Sequence, residues 1–120
     1  MEARDLLIPT VVAPTPFKIV VAPEAALNTA AARQLRLDVL AALDDSPPVL
    51  VLDLTGVVLI APAAVALLVE SIAAARERTS IVLVASEPQV RTLVVSSKEL
   101  SGIPLFATRA AALKSLASKG

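Results

Sequence analysis

The chain has 120 residues, of which 56% are hydrophobic and 18% are charged. This composition excludes a disordered chain, and the length suits one domain with a single core. Eleven basic side chains balance eleven acidic ones, so no partner held by bulk charge, such as nucleic acid or an anionic membrane, is expected.

Several residue types that carry chemistry are missing, because the chain has no His, Cys, Trp or Tyr. Disulfides, thiol nucleophiles and the usual zinc ligands are therefore excluded, and so is the commonest acid–base residue. The three glycines, Gly56, Gly102 and Gly120, form neither a dinucleotide fingerprint nor a P-loop. We predict no enzymatic activity, no metal and no cofactor, and by elimination a binding or interaction module.

No membrane insertion is predicted from the sequence. The longest uncharged stretch, residues 54–69, is interrupted by Pro62 and is shorter than the roughly 20 apolar residues of a spanning helix. Three of the first five residues are charged, and this segment lacks the apolar core of a signal peptide. We therefore expect a cytoplasmic protein.

The first elements are a proline-rich segment and a helix. Residues 1–16 are predicted to be an irregular edge segment and Phe17–Val21 a strand. Apolar residues at helical spacing predict a helix over Thr29–Leu43. Leu37 and Leu40 lie away from its main apolar stripe. We expect a helix buried nearly all round; the alternative leaves this pair exposed to a partner.

The next strand, Val49–Leu54, is a continuous apolar run that ends in one acid, and it is predicted to be central and buried on both faces. Asp53 lies at its carboxyl end, where ligands bind in open α/β sheets. Two interpretations follow for its carboxylate. We favour hydrogen bonding with the following turn over a ligand-binding function.

A second helix is predicted to begin at Pro62, which suits the first helical turn, and to end at about Arg78. Its outer face should expose Ala63 and Leu67, which are neighbours at a spacing of four. The start of this helix would then be a small, apolar and chemically inert surface. Its core stripe comprises Val65, Leu68, Val69, Ile72 and Ala75.

The remaining elements alternate between strand and helix. Ile81–Ala85 is predicted as a buried strand, and a capping-box pattern at Ser86–Gln89 starts a third helix. A brief strand at Pro104–Phe106 and a helix capped by Thr108 complete the chain. This alternation predicts an α/β fold with parallel neighbouring strands.

Several segments resemble the STAS domain family, of the anti-sigma-factor antagonist type. Val49–Val57 is similar to the family's strand ending in Asp-Leu-Ser-Gly-Val, and Pro88–Leu93 is similar to its Pro-x-Val-x-x-x-Leu helix. Ser101–Phe106 resembles its Ser-Gly-Leu to Phe segment. The resemblance covers residues 17–117. It implies one STAS-like domain over residues 1–120, with a mixed, mostly parallel sheet of four to five strands and about four helices.

The chain departs from the family at its phosphorylation motif. The family carries Asp-Ser-Ser before this helix, and its second serine is phosphorylated by an anti-sigma kinase. Here the three positions are Ala61, Pro62 and Ala63. Phosphate adds about −1.5 to −2 charges, and alanine has no hydroxyl to accept it. The earlier family pattern Gly-Glu-Leu-Asp-Leu-Ala-Thr appears at residues 23–29, where Ala26 replaces the aspartate.

The resemblance thus implies a bacterial transcription regulator that binds an anti-sigma, kinase-like partner constitutively. Its predicted partner-binding residues are Asn28, Thr29, Thr55, Ala61, Pro62, Ala63, Ala64 and Leu67.

Three alternatives stay open. The chain could be a structural STAS-type subunit of a transporter or regulatory assembly, in contact with an ATPase or another STAS protein. Phosphorylation could occur at another hydroxyl, such as Thr29 or Thr55. Ligand sensing near Asp53 is the third. Separately, an exposed Leu67 would allow a homodimer.

Overall fold

The chain is seen in a computed structural model that describes residues 17–119. The segment predicted to be irregular, residues 1–16, lies outside the described residues. The described part alternates between short strands and helices largely in the predicted order. The predicted α/β class is therefore confirmed.

The main sheet has four strands, and each pairs with its neighbour in parallel. They are β1 (Lys18–Val21), β3 (Val49–Asp53), β5 (Ser80–Val84) and β6 (Leu105–Phe106), in the spatial order β1-β3-β5-β6. A separate ribbon pairs β2 (Ala26–Leu27) with β4 (Leu59–Ile60), also in parallel. The sequence predicted a mixed, mostly parallel sheet. Within residues 17–119 every strand pairing is parallel.

Four α-helices lie where the apolar periodicity predicts them. They are α1 (Thr29–Leu43), α2 (Pro62–Arg76), α3 (Pro88–Ser96) and α4 (Arg109–Lys119). A 3₁₀ turn at Lys98–Leu100, which the sequence pattern did not reveal, follows α3. None of the helices in the described part combines the length and the apolar content needed to cross a membrane.

The two central strands, β3 and β5, are buried on both faces, and this explains their uninterrupted apolar sequences. On one face Leu50 and Leu52 belong to a hydrophobic layer with α1, α2 and α3. On the other face Val51 and its neighbours pack with Ala112 of α4. Alternate side chains of one strand therefore belong to two separate layers.

Side-chain caps determine where two of the helices begin. The side-chain oxygen of Asn28 accepts a hydrogen bond from the backbone N–H of Ala31 at 2.8 Å, just before α1. The hydroxyl of Thr108 accepts one from the N–H of Ala111 at 3.1 Å, which confirms the predicted cap of α4.

The predicted capping box at Ser86 is wrong. The residue before α3 is Glu87, and it makes no side-chain cap hydrogen bond. The Ser86 hydroxyl instead donates to the backbone carbonyl of Thr55 at 3.5 Å. The start of α3 is determined by Pro88, whose ring fixes the first helical φ and whose missing N–H needs no cap.

The expectation that α1 is buried nearly all round is also wrong. Leu37 is 59% exposed and Leu40 is 42% exposed. The helix packs against β1, β2 and α2 through its opposite side, and Leu40 lies at the border with α2, so both leucines of this pair stay exposed. The buried side is formed by Ala31, Ala32, Leu35, Val39 and Leu43.

Truncation of a central leucine tests the two-layer core. Leu52 on β3 is 2% exposed, and we expect Leu52→Ala to lower the free energy of unfolding by about 2–5 kcal/mol, because it leaves a cavity among three helices. Leu37→Ala is the matched control, with an expected change below about 0.5 kcal/mol. Urea denaturation of both variants measures the difference, and similar losses would contradict the assigned core.

Candidate functional site

The starts of α1 and α2 lie side by side because the short β2–β4 ribbon joins the segments before them. Ala26 pairs with Leu59, and Leu27 pairs with Ile60. The N–H of Ala61 then donates to the carbonyl of Leu27 at 2.9 Å. The structure therefore brings together the two separate segments in which the sequence predicts partner-binding residues.

At the start of α1, Asn28 is exposed and Thr29 is half-buried. The backbone of Asn28 is extended, with φ −90° and ψ −175°, while its side-chain oxygen caps the helix. A partner can therefore reach Asn28. Asn28 also has a structural function, because its side chain caps α1. The sequence alone does not show whether Asn28 serves the helix, a partner or both.

The start of α2 has no polar side-chain cap. Ala61 precedes the helix with extended backbone, and Pro62 occupies the first helical position. Pro62 and Ala63 are exposed, and Ala61 is half-buried. The exposed end of this helix thus consists of small apolar groups, as the sequence predicts.

Two residues predicted on this surface lie deeper than expected. Ala64 is fully buried, at 0% exposure, and it belongs to the hydrophobic core. Leu67 is half-buried and packs against that core, so the expectation that it is exposed is wrong. The helix packs against both α1 and β5 and therefore buries a wide stripe of side chains. A helical-wheel projection of the sequence does not show how wide that stripe is.

Two exposed apolar residues beside this surface were missed by sequence reasoning. Val58 is 55% exposed and Leu59 is 56% exposed, directly before the start of α2. The apolar run from Val57 to Ile60 predicted only extended chain. Since β4 pairs with a two-residue strand and not with the main sheet, its outer side is left open. We call the exposed surface of Asn28, Val58, Leu59, Pro62 and Ala63, with half-buried Thr29 and Ala61, the helix-start surface.

A separate site, which is polar, lies at the carboxyl end of β3. Asp53 is 1% exposed, and its carboxylate accepts three hydrogen bonds. The donors are the backbone N–H of Thr55 at 2.9 Å, the hydroxyl of Thr55 at 2.6 Å and Nε of Arg109 at 2.7 Å. The favoured interpretation, that Asp53 accepts hydrogen bonds from the following turn, is confirmed. The Arg109 contact was missed because the two residues are 56 positions apart.

The charge of Asp53 is maintained despite its burial. Burial by itself raises the pKa of this carboxyl group, because it disfavours the charged form. The hydrogen bonds from the Thr55 hydroxyl and N–H, together with the Arg109 guanidinium, outweigh burial and leave the pKa below its ordinary value of 3.8. At neutral pH the site is therefore an ion pair between the buried carboxylate of Asp53 and the partly exposed guanidinium of Arg109, and not a proton donor.

Comparison with known proteins places this architecture. A family model described as the STAS domain matches residues 9–112. The chain belongs to the STAS domain family. A crystal structure described as an anti-sigma factor antagonist from Mycobacterium paratuberculosis has the same fold, with a TM-score of 0.70 and 24% sequence identity. The superposition covers 98% of this chain and 99% of that one. A search of curated proteins gives no significant match.

In this STAS domain the helix-start surface differs in chemistry from the carboxyl-edge site, which is Asp53 with Thr55 and Arg109. The helix-start surface has no carboxylate or hydroxyl at the start of α2, since its residues there are Ala61, Pro62 and Ala63. The hydroxyl of Thr55, a predicted partner-binding residue, donates to Asp53, so Thr55 belongs to the carboxyl-edge site. Within residues 17–119 no three acidic side chains are grouped as metal ligands.

Three cavities of the described residues lie between α1 and α2, beside Gly102 at the amino edge of the sheet, and along β1. Neither Asp53 nor Thr55 lines any of these three. Ligand binding near Asp53 stays an untested prediction.

The ion pair predicts a pH-dependent contribution to stability. Asp53→Asn keeps an acceptor for Thr55 but presents an N–H₂ group to Arg109, so we expect a loss of about 1–3 kcal/mol at pH 7. Because the pKa of Asp53 is lowered on folding, its contribution is present above pH 3.8 and disappears as pH falls through the lower folded value. Urea denaturation should show a smaller difference in the free energy of unfolding between wild type and variant at pH 3 than at pH 7.

Asp45→Asn is the control for this prediction. Asp45 pairs with Lys18 at the surface, and their side chains are 61% and 43% exposed. Exposed pairs contribute little, so a change below about 0.5 kcal/mol is expected. A gap for Asp53→Asn that is the same at both pH values would show that charge is not its source.

Proposed function

We propose that this STAS domain is a cytoplasmic, non-catalytic interaction module of the anti-sigma-factor antagonist kind, and that it binds a kinase-like anti-sigma partner constitutively. The observation that carries the proposal is the exposed Ala63 beside the start of α1. The resemblance to the family's motif places the phosphorylated serine at this position. Family membership and the shared fold with an antagonist support the general kind of function.

The helix-start surface suits a protein partner. Val58 and Leu59 offer exposed apolar area, and Asn28 adds an exposed amide beside them. Pro62 and Ala63 have few or no rotamers to lose, so ordering them on binding costs little. The surface is thus apolar and already arranged by the two helix starts.

The proposed binding does not depend on a phosphate at the start of α2, because Ala63 has no hydroxyl that could be phosphorylated. The two other hydroxyls named from the sequence are in different situations. Thr55 donates to the buried carboxylate of Asp53, and phosphate there would place about −1.5 to −2 charges against it. Thr29 is half-buried in the first turn of α1 and is the alternative modification site that lies on the helix-start surface.

The alternative function is a structural STAS-type subunit of a transporter or regulatory assembly. The exposed Leu37 and Leu40 favour it, since permanent assembly would cover them. Affinity capture of the tagged chain from its own host lysate, with mass spectrometry, separates the two. An anti-sigma kinase supports the antagonist. A transporter ATPase, or only other STAS proteins, supports the structural subunit.

A charge at Ala63 tests the placement of the binding surface. We expect Ala63→Glu to weaken binding of the captured partner at least about tenfold, or roughly 1.4 kcal/mol, because it buries an unpaired carboxylate in an apolar contact. Ala110→Glu is the matched control. Ala110 is an exposed alanine at the same helical position, the second residue of α4, on the opposite side of the sheet.

Both glutamates lie in the first turn of a helix, where a negative charge interacts favourably with the helix dipole. Both variants should therefore fold, with an unchanged or slightly higher free energy of unfolding. Titration calorimetry with the purified partner, together with thermal unfolding of each variant, measures the two effects. Equal affinity for Ala63→Glu and wild type would remove the start of α2 from the interface.

Phosphatase treatment tests whether binding is constitutive. The chain purified from its host should bind the captured partner with the same affinity, within about twofold, before and after treatment, because its position 63 carries no hydroxyl. Intact mass before and after treatment reports any phosphate removed. A tenfold change in affinity would show that another hydroxyl, with Thr29 the first to examine, acts as the switch.

A further inference from the structure

The outer side of α1 carries one continuous exposed stripe that the proposed function does not use. Leu37 and Leu40 are its centre, and exposed Arg33 and Asp44 lie at its two ends. The spacings of four, three and four residues keep all four side chains on one face of the helix. Asp44 follows the helix with φ −60° and ψ −25°, which are helical values, so it continues the stripe.

Neither end of the stripe has a charged partner within residues 17–119. The ion pairs of that part of the chain join Lys18 to Asp45 and Arg109 to Asp53. Arg33 and Asp44 are left facing water on either side of two exposed leucines. An apolar pair between one free cation and one free anion has the composition of a small interface.

The order of these residues is complementary to itself. If a second copy of α1 lies antiparallel across a two-fold axis midway between Leu37 and Leu40, each Leu37 faces a Leu40. The same axis places each Arg33 opposite an Asp44, because both pairs are centred on the same point of the helix. Contacts of this kind, in which one patch meets its own copy, are typical of two-fold dimers.

The surface beside the stripe is shaped to receive a side chain. Leu40 forms one wall of a groove of about 280 Å³ between α1 and α2. Val39, Leu43 and Ala75 contribute further apolar lining, and Arg36 and Arg78 also line it. In the antiparallel arrangement, Leu37 of the second copy lies over Leu40, at the mouth of this groove. The two-fold axis creates the same contact twice.

We propose that this stripe is the contact between two copies of the chain in an antiparallel α1–α1 homodimer. The leucines supply the apolar contact, and the two Arg33–Asp44 pairs determine orientation and register more than affinity. The stripe spans about 16 Å of helix, so the interface is small and the dimer weak. The proposed dimer contact is therefore on α1 and not at Leu67, which is half-buried. This inference does not rest on the proposed partner.

Charge reversal with complementation tests the proposal. Sedimentation equilibrium of the full chain over roughly 10 to 1,000 μM should show a monomer–dimer equilibrium. Arg33→Asp alone, or Asp44→Arg alone, should raise the dissociation constant at least about tenfold, because like charges then meet twice per dimer. An equimolar mixture of these two variants should form a heterodimer with near wild-type affinity, since both opposite-charge contacts are restored.

Lys98→Asp is the control for net charge, because it makes the same change at an exposed residue of the 3₁₀ turn. It should leave the dissociation constant within about twofold of wild type at 0.15 M salt. Circular dichroism checks that each variant is folded. A wild-type chain that stays monomeric at the highest concentration overturns the proposal. A dimer that is unaffected by Arg33→Asp, or a mixture that fails to recover, overturns it as well.

Discussion

The burial of β3 and β5 on both faces is the constraint on which the rest of this STAS domain depends. A parallel strand of this kind needs helices on each side, because its alternate side chains leave the sheet in opposite directions. The chain supplies α1, α2 and α3 on one face and α4 on the other. Asp53 ends the central strand inside this core, so its carboxylate needs donors from the turn and from α4.

The placement of the helix-start surface follows from the same constraint. The helices α1 and α2 both cover one side of the sheet. The β2–β4 ribbon joins the segments that precede these two helices, so their starts lie side by side. The chemistry at that point is determined by few residues. Residues 61–63 are alanine, proline and alanine, and none of them has a hydroxyl. Phosphorylation therefore cannot change the charge at these three positions.

Residues 17–119 thus include two apolar surfaces that are built in different ways. One is formed by separate segments at the starts of α1 and α2, and its shape depends on how the helices are held. The other is a stripe along a single helix, and its complementarity depends on the spacing of Arg33, Leu37, Leu40 and Asp44. Both include residues of α1. A second copy along α1 would therefore lie near the protein partner, and the order of assembly becomes a property to measure.

The sequence by itself determined the order of the main strands and the four helices, the buried strands, the starts of α1 and α2 and the absence of a hydroxyl at positions 61–63, because these depend on local periodicity and residue type. It did not determine which side of α1 the fold would leave uncovered, how deep Leu67 would lie, or that Val58 and Leu59 would be exposed. It also did not reveal that Arg109 neutralises Asp53. These depend on how helices pack on the sheet and on contacts between distant parts of the chain, which only the tertiary structure decides.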